Sequence, residues 1–360
     1  MQKLILRSSC KTEEEFTKEV RKRVKNYFKE NNISTKGNAT LYFKAIILLS
    51  VYILPFVAIL TIPTTYISAV FLAILMGIGE AGVGMSVMHD GAHGAFSSKK
   101  WINNLASATM FLMGSNTFNW KIMHNYKHHT FTNVFEHDGD ISTKAVIRMS
   151  EHAPLKKYQR FQHLYAVPLF SLLTLVRFVA DLFILLDLNK KGLTEEHKGK
   201  PTEEIVILVV TKIVYLLVMI GLPLLLTPYS IGQIILGFCI MHLVAGFIMA
   251  TVFQLAHVVE GPSQPLPNEK GIIEKNWYVH QMETTSDFGR KNGLFSWYIG
   301  GLDYQIEHHL FSSISHVHYP KIAPIVEETA KEYGVPYHLQ KNVFEAIGSN
   351  YKKLYELGRN

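Results

Sequence analysis

Apolar residues run through this chain in two long blocks, set between stretches that are polar, charged and rich in histidine. Ala45 to Gly79 contains no charged residue. A helix crosses the hydrocarbon core of a bilayer with about 20 apolar residues, so this run is too long for one crossing and fits two. Ile205 to Ala256 is the second block, broken only by Lys212. A lysine stem is long enough to carry its charge back to an interface, so Lys212 is compatible with a crossing. The pattern predicts membrane helices over 45–62, 66–88, 205–226 and 231–256. Pro63-Thr64-Thr65 and Thr227-Pro228-Tyr229-Ser230 supply the proline and small polar residues that turn each pair into a hairpin.

The remaining segments read as helices on or beside the membrane. Thr12 to Asn32 is amphipathic, with Glu13, Glu14 and Glu15 at its start and Arg21, Lys22, Arg23 and Lys25 later, a polarity that suits the helix dipole. It is expected to lie on the membrane surface. Leu164 to Leu186 is apolar but carries Arg177 and Asp181, four apart and able to pair on one helix face. It is expected as an interfacial helix in the membrane plane, and Trp101 to Gly114 as a shorter one. The expected fold is all-α: one integral membrane domain over 1–360. Its parts are a polar N-terminal segment (1–44), hairpin one (45–88), a middle segment (89–204), hairpin two (205–256) and a helical cap (257–360). Both turns lack Lys and Arg, whereas the flanking segments are rich in both. The positive-inside rule then puts both termini, the middle segment and the cap in the cytosol, at a bacterial inner membrane or the endoplasmic reticulum.

Composition sharpens this picture. Apolar residues are 48% of the 360, and charged residues only 18%, which argues against the two soluble domains that the length would allow. The net charge of +7 sits beside the apolar blocks and is not interleaved with aromatics on a soluble fold, so nucleic acid is not an expected partner. Cys10 and Cys239 are the only cysteines, which excludes a disulfide framework. No secretory signal peptide is expected, because about forty polar residues precede the first apolar block.

The chemistry-bearing feature is the placement of the 17 histidines. His89 and His93 follow the second predicted span. His124, His128 and His129 form His-Asn-Tyr-Lys-His-His. His257 follows the fourth span, and His308 and His309 close Gln305-Ile306-Glu307-His308-His309. Residues four apart share a helix face, so His89 with His93, and His124 with His128, can each aim two imidazoles at one metal. Adjacent histidines diverge by about 100° on a 3.6-residue helix, so one member of each adjacent pair can face each of two metals. Eight nitrogens are too many for one ion and suit two. Imidazole serves Zn, Cu, Fe and Ni. The lack of a paired cysteine set disfavours structural zinc, and the Glu-x-x-His pattern of di-iron carboxylate bundles is absent.

These three histidine boxes resemble those of the membrane fatty acid desaturases in order and spacing, from His89 to His309. Related sequence extends roughly from Gly79 to Pro320. Gly300-Gly301-Leu302-Asp303-Tyr304-Gln305-Ile306-Glu307-His308-His309-Leu310-Phe311, followed by His316-Val317-His318-Tyr319-Pro320, resembles the front-end and acyl-lipid branch, which has glutamine where others begin the third box with histidine. The resemblance implies an oxidoreductase of lipid metabolism that makes unsaturated fatty acids. It implies two iron ions held by His89, His93, His124, His128, His129, His257, His308 and His309, with O2 as co-substrate. It also implies an acyl-CoA or acyl-lipid substrate drawn from the membrane lipid. No His-Pro-Gly-Gly haem motif is present, so the two electrons would come from a separate ferredoxin, or from cytochrome b5 with its reductase.

Further candidates surround these ligands. Gln305 is a possible weak ligand. Asp90, Asp138 and Asp140 are candidates to hydrogen-bond ligand rings. His137 is a candidate extra ligand, and His316 and His318 read as structural. Trp277, Gln281 and Thr285 recur at spacing four and are candidates to line a substrate path. Glu80, an acid inside a span, is a functional candidate by default. Gly77-Ile78-Gly79-Glu80-Ala81-Gly82 matches a dinucleotide-binding pattern but lies in a span, where small residues at a helix crossing explain it. The competing readings are a di-iron hydroxylase or sphingolipid desaturase, a histidine-based metal transporter, and a zinc hydrolase. The transporter reading is weakened because only His242 lies deep in a span.

Overall fold

A computed structural model describes residues 4–8, 10–141 and 146–360. Two compact units divide the chain, each assembled from separate stretches: Met1–Gly37, Met123–Ala166 and Val252–Asn360 in one, and Asn38–Ile122 and Val167–Thr251 in the other.

Four helices among the described residues are long and apolar enough to cross a bilayer by themselves: α2 (Ala39–Thr61), α3 (Tyr66–Ala92), α6 (Pro201–Leu226) and α7 (Ile231–His257). They are the four predicted spans, with longer ends. Asn38 caps α2 by accepting the Leu41 N–H, which starts that helix before the apolar run begins. Pro201 at the head of α6 and Glu203 and Glu204 in its first turn start it ahead of the apolar run in the same way. α3 continues past the predicted end to carry His89, through a π-helical stretch at Val83–Met88.

Small residues set the crossings within this bundle. A Cβ at Gly77 would stand 2.5 Å from the Met241 carbonyl oxygen on α7, and one at Gly79 2.5 Å from the Tyr52 nitrogen on α2. The Gly77–Gly82 run is therefore a helix-packing surface. Each of the four spans also contributes one residue to a buried polar group: Tyr52, Glu80, Tyr215 and His242. Glu80 Oε1 lies 3.4 Å from His242 Nδ1, and His242 Nε2 lies 2.9 Å from the Tyr215 hydroxyl. Tyr52 packs beside Tyr215 and donates to the Leu112 carbonyl.

The segment 164–186 departs from expectation. It is two helices, Gln162–Phe170 and α5 (Leu173–Lys190), broken at Ser171–Leu172. The break is where Gly246 of α7, lacking a Cβ, admits the Ser171 carbonyl. Thr174 then donates to the His242 carbonyl at 2.8 Å. Asp181 ion-pairs with Lys212 at 3.3 Å and accepts the Asn116 N–H at 3.0 Å, so its salt bridge is not the one predicted with Arg177. The Lys212 ammonium donates to the carbonyls of Gly114 and Phe178 at 2.8 and 2.6 Å. A cation among apolar helices is tolerable when acceptors surround it in this way.

In the other unit, α1 (Lys11–Glu30) overturns the surface-helix expectation. Its apolar stripe of Phe16, Val20, Val24 and Phe28 is buried in a protein core with Val279 and Met282 of α8 (Trp277–Thr284), Ile306 and Leu310 of α9 (Gln305–Leu310), and Ile322 and Val326 of α10 (Tyr319–Tyr333). Arg23 anchors α1 to α10 through Glu332 at 2.6 Å. Two short parallel strand pairs add to the all-α expectation: β1 (Ile5–Leu6) with β2 (Ile272–Ile273), and β3 (Ser286–Phe288) with β4 (His338–Gln340). α11 (Val343–Leu357) closes the unit.

Candidate metal centre

Six of the eight predicted ligands converge inside the unit that contains α8 to α11. His124 and His128 lie on a π-helical turn, α4 (Lys121–His128), and their rings stack at 5.2 Å with 23° between planes. π-turns inside helices recur at functional sites. The ring of the adjacent His129 lies 5.7 Å from that of His128, at 77° between planes. His308 and His309, on the one-and-a-half turns of α9, stand at 83° to each other. His257 ends α7 and meets His128 at 4.8 Å and His309 at 5.0 Å between ring centroids.

Two groupings result. His128, His257 and His309 each offer a ring nitrogen, all within 4.8 Å of one another. His124 and His308 lie beside this group, and His129 touches both sides, its ring 4.5 Å from that of His309. His129 Nε2 is 3.2 Å from His124 Nε2, and the His308 ring lies 4.7 Å from that of His129 and 6.0 Å from that of His124. In the other unit, His89 and His93 form a pair at the end of α3, with ring centroids 4.8 Å apart and Trp120 against both.

The surrounding hydrogen bonds set which ring nitrogens can ligate. His128 Nδ1 lies 3.0 Å from Asp138 Oδ2. His309 Nδ1 lies 2.7 Å from Gln281 Oε1, and His308 Nδ1 lies 3.3 Å from the Tyr319 hydroxyl. Donation from Nδ1 in each case leaves Nε2 as the lone-pair nitrogen, the usual arrangement around a histidine-ligated metal. His128 Nε2 and His257 Nε2 are buried and make no hydrogen bond, as expected of nitrogens kept for a metal. This donor set therefore fits a nitrogen-ligated metal centre.

The acids divide into distinct roles. Burial alone would push the Asp138 carboxyl up, but His128 and the N–H groups of Asp140 and Asn133 outweigh it and hold it below the ordinary range. Asp138 is thus a carboxylate locked onto His128. Asp140 lies 3.7 Å from His128 Nδ1 and joins His124 and His128 in a third grouping. Beside the third box, burial and the nearby Asp287 push Glu307 well above its ordinary value. The Tyr337 hydroxyl lies 2.7 Å from Asp287 Oδ2 and 2.9 Å from Glu307 Oε1, with one proton to give to either, and Asp287 accepts the Ile306 N–H at 2.9 Å. This buried brace pins the first turn of α9 to β3.

Other candidates are placed as follows. Gln305 heads α9, buried, with its Oε1 accepting no hydrogen bond. Asp90 is buried beside His89 in the last turn of α3. His137 packs on Phe131, 5.8 Å between rings, and joins no metal grouping among the described residues. His318 bonds the Lys36 carbonyl at 3.1 Å, a structural role. Gln281 is a hydrogen-bonding hub. Besides His309, it accepts from Thr132 at 2.7 Å and donates to the His129 carbonyl at 3.0 Å. Trp277 donates its indole N–H to the same carbonyl at 2.9 Å. Two of the three residues at that spacing therefore bind box two to α8, whereas Thr285 is fully buried with its hydroxyl unbonded. Glu80 lies against His242 as described.

Sequence reasoning missed Asn133 and Tyr319. Asn133 sits at φ 58° and donates to the His257 and Thr284 carbonyls at 3.1 and 3.0 Å. Its only prior signal was that asparagine tolerates left-handed backbone.

The family model for fatty acid desaturases matches residues 64–341. The chain is 33% identical over 346 residues to an sn-1 linoleoyl-lipid 6-desaturase of Arthrospira platensis, covering 96% of this chain and 93% of that protein. It is 32% identical to the protein of the same description from Synechocystis, covering 96% of each. An acyl-lipid (8-3)-desaturase of Physcomitrium patens is 33% identical over 96% of this chain and 72% of its own length.

Proposed function

From the chain's membership of the fatty acid desaturase family, which makes it a fatty acyl desaturase of the acyl-lipid, front-end kind, we propose that it inserts a double bond towards the carboxyl end of a lipid-linked acyl chain. The observation that carries this reading is the convergence of His124, His128, His129, His257, His308 and His309, with Nδ1 of three of them held by Asp138, Gln281 and Tyr319. In this reading these six, with His89 and His93, hold two iron ions. The centre supplies the oxygen-derived oxidising power that an unactivated methylene C–H bond demands. Overall, two hydrogens leave adjacent methylenes, and O2 takes up these with two external electrons and two protons to give two waters.

The chain's own residues do the positioning. Asp138, Gln281 and Tyr319 fix ring orientation. The Tyr337-bridged pair Glu307 and Asp287 keeps α9 from shifting. Gln305, four residues before His309 and so on its helix face, is assigned to a water or a weak ligand. The turns at 63–65 and 227–230 carry no Lys or Arg, which supports a cytosolic site and cytosolic termini. The electron donor in this reading is a separate ferredoxin or cytochrome b5, drawn to the basic face.

Expression in a host lacking the activity tests this. Lipid-class-resolved mass spectrometry with double-bond localisation should show a product two hydrogens lighter on intact lipids. His128→Ala and His309→Ala should abolish it. A product that gains oxygen without losing hydrogen, or full activity in an iron-free preparation, would refute the proposal.

A further inference from the structure

α11 presents an apolar stripe that nothing in the desaturation reading uses. Phe344, Ile347, Tyr351 and Tyr355 are 84%, 44%, 45% and 43% exposed. At 100° per residue they fall within roughly 80° of one another on the helix circumference. The opposite face, with Ala346, Ser349, Asn350, Leu354 and Leu357, is buried. Lys341, Lys352 and Arg359 flank the stripe on one side, shared with Glu345 and Glu356, and Lys352 is ion-paired with Glu260 at 2.5 Å. Beside it, Tyr158, Phe161 and Leu164 are also exposed, next to Lys156, Lys157 and Arg160. The His163 ring joins the two patches, lying 5.1 Å from Tyr351 and 5.0 Å from Tyr355.

This helix is bolted at one depth. Asn350 donates to the Val258 carbonyl at 2.8 Å, and the Ser349 hydroxyl accepts the Glu260 N–H at 2.8 Å. Those partners lie one and three residues past His257, the last residue of α7. A 27-residue helix is about 40 Å long against a hydrocarbon core of about 30 Å, so the end of α7 stands in the headgroup layer. What is hydrogen-bonded directly to that end shares its depth. Arg148 fixes the far end of α11 by donating to the Leu357 carbonyl at 2.6 Å, so the stripe cannot fold inward.

We propose that the outer face of α11, with the Tyr158–Leu164 edge, is a membrane-docking surface that seats in the headgroup layer of the leaflet from which α7 emerges. Tyrosines and a phenylalanine face the acyl boundary, and the flanking lysines and arginines meet anionic headgroups. Aromatic rings at headgroup level and lysines that reach sideways are the composition of membrane-surface helices. A soluble acidic carrier would meet the basic flank equally well. It would leave an 84%-exposed phenylalanine and its apolar neighbours with no partner of like chemistry, which favours lipid.

The test uses the full chain with Cys10→Ser and Cys239→Ser, reconstituted in nanodiscs of phosphatidylcholine and phosphatidylglycerol. Ile347→Cys and Tyr351→Cys carry an environment-sensitive fluorophore on the stripe, and Glu345→Cys carries it on the polar side. Two stripe positions guard against one variant failing to fold. The stripe labels should shift to the blue and lose more than half of their emission when the lipid acyl chains are brominated, whereas the Glu345 label should do neither. Stripe labels as water-exposed as the Glu345 label would overturn the proposal. So would labels shielded only after an acidic ferredoxin or cytochrome b5 is added, which would make the face a protein dock.

Discussion

Gln281→Leu separates a residue that holds ligands from one that merely lines a path. Leucine keeps most of the volume and removes the amide. Of its three partners, His309 is the one whose contact weakens. The His129 carbonyl still receives the Trp277 indole N–H at 2.9 Å, and the Thr132 hydroxyl can still donate to the His128 carbonyl at 2.7 Å. His309 Nδ1 loses the acceptor at 2.7 Å and keeps the longer Thr132 hydroxyl contact at 3.3 Å. Losing one such hydrogen bond costs about 0.5–1.5 kcal/mol. Tenfold in affinity is about 1.4 kcal/mol, so metal affinity should fall on the order of 2- to 10-fold. Gln281→Glu, which keeps the acceptor, should lose far less. Iron content by elemental analysis after competition with a graded chelator reads this out. Thermal unfolding of the metal-free protein shows whether the fold itself has suffered. If Gln281→Leu retains iron as tightly as the parent while only substrate affinity drops, Gln281 lines a path and the holding role is wrong.

Two further outcomes are expected. Gly91→Ala should strip iron from the His89–His93 pair and destabilise the protein by about 1–3 kcal/mol, because its Cβ would come 2.6 Å from the Ser107 backbone nitrogen; iron content and thermal unfolding check both. Burial lowers the His280 imidazole to about 4, so between that value and the ordinary 6.5 the unfolded chain binds a proton that the folded one refuses. Stability from this group is present above pH 6.5 and is lost as pH falls towards 4, by about 3 kcal/mol in the limit. Metal-free His280→Phe should therefore lose less stability than the parent between pH 7.5 and pH 5 in detergent unfolding, and identical losses would remove His280 from the account.

The four spans and the histidine boxes were legible along the chain because each depends on local periodicity. An apolar run of sufficient length has no other low-energy environment than a bilayer or a core, and imidazoles four apart on a helix must share a face. Three things were decided only by tertiary packing. α1 has the pattern of a membrane-surface helix, yet its Phe16–Phe28 stripe is covered by α8, α9 and α10, and no property of α1 distinguishes a lipid face from a protein face. Asp181 had Arg177 four residues away, but Lys212, 31 residues on, is its ion-pair partner, because a largely buried ammonium must collect acceptors from wherever the chain brings them. The hydrogen bonds of Gln281, Asn133 and Tyr319 around the ligands were not legible, since such a bond depends on where two distant backbones stop and not on either sequence neighbourhood. Repetition along one helix can be read from the order of residues, whereas contact between helices is set by the packing of the whole.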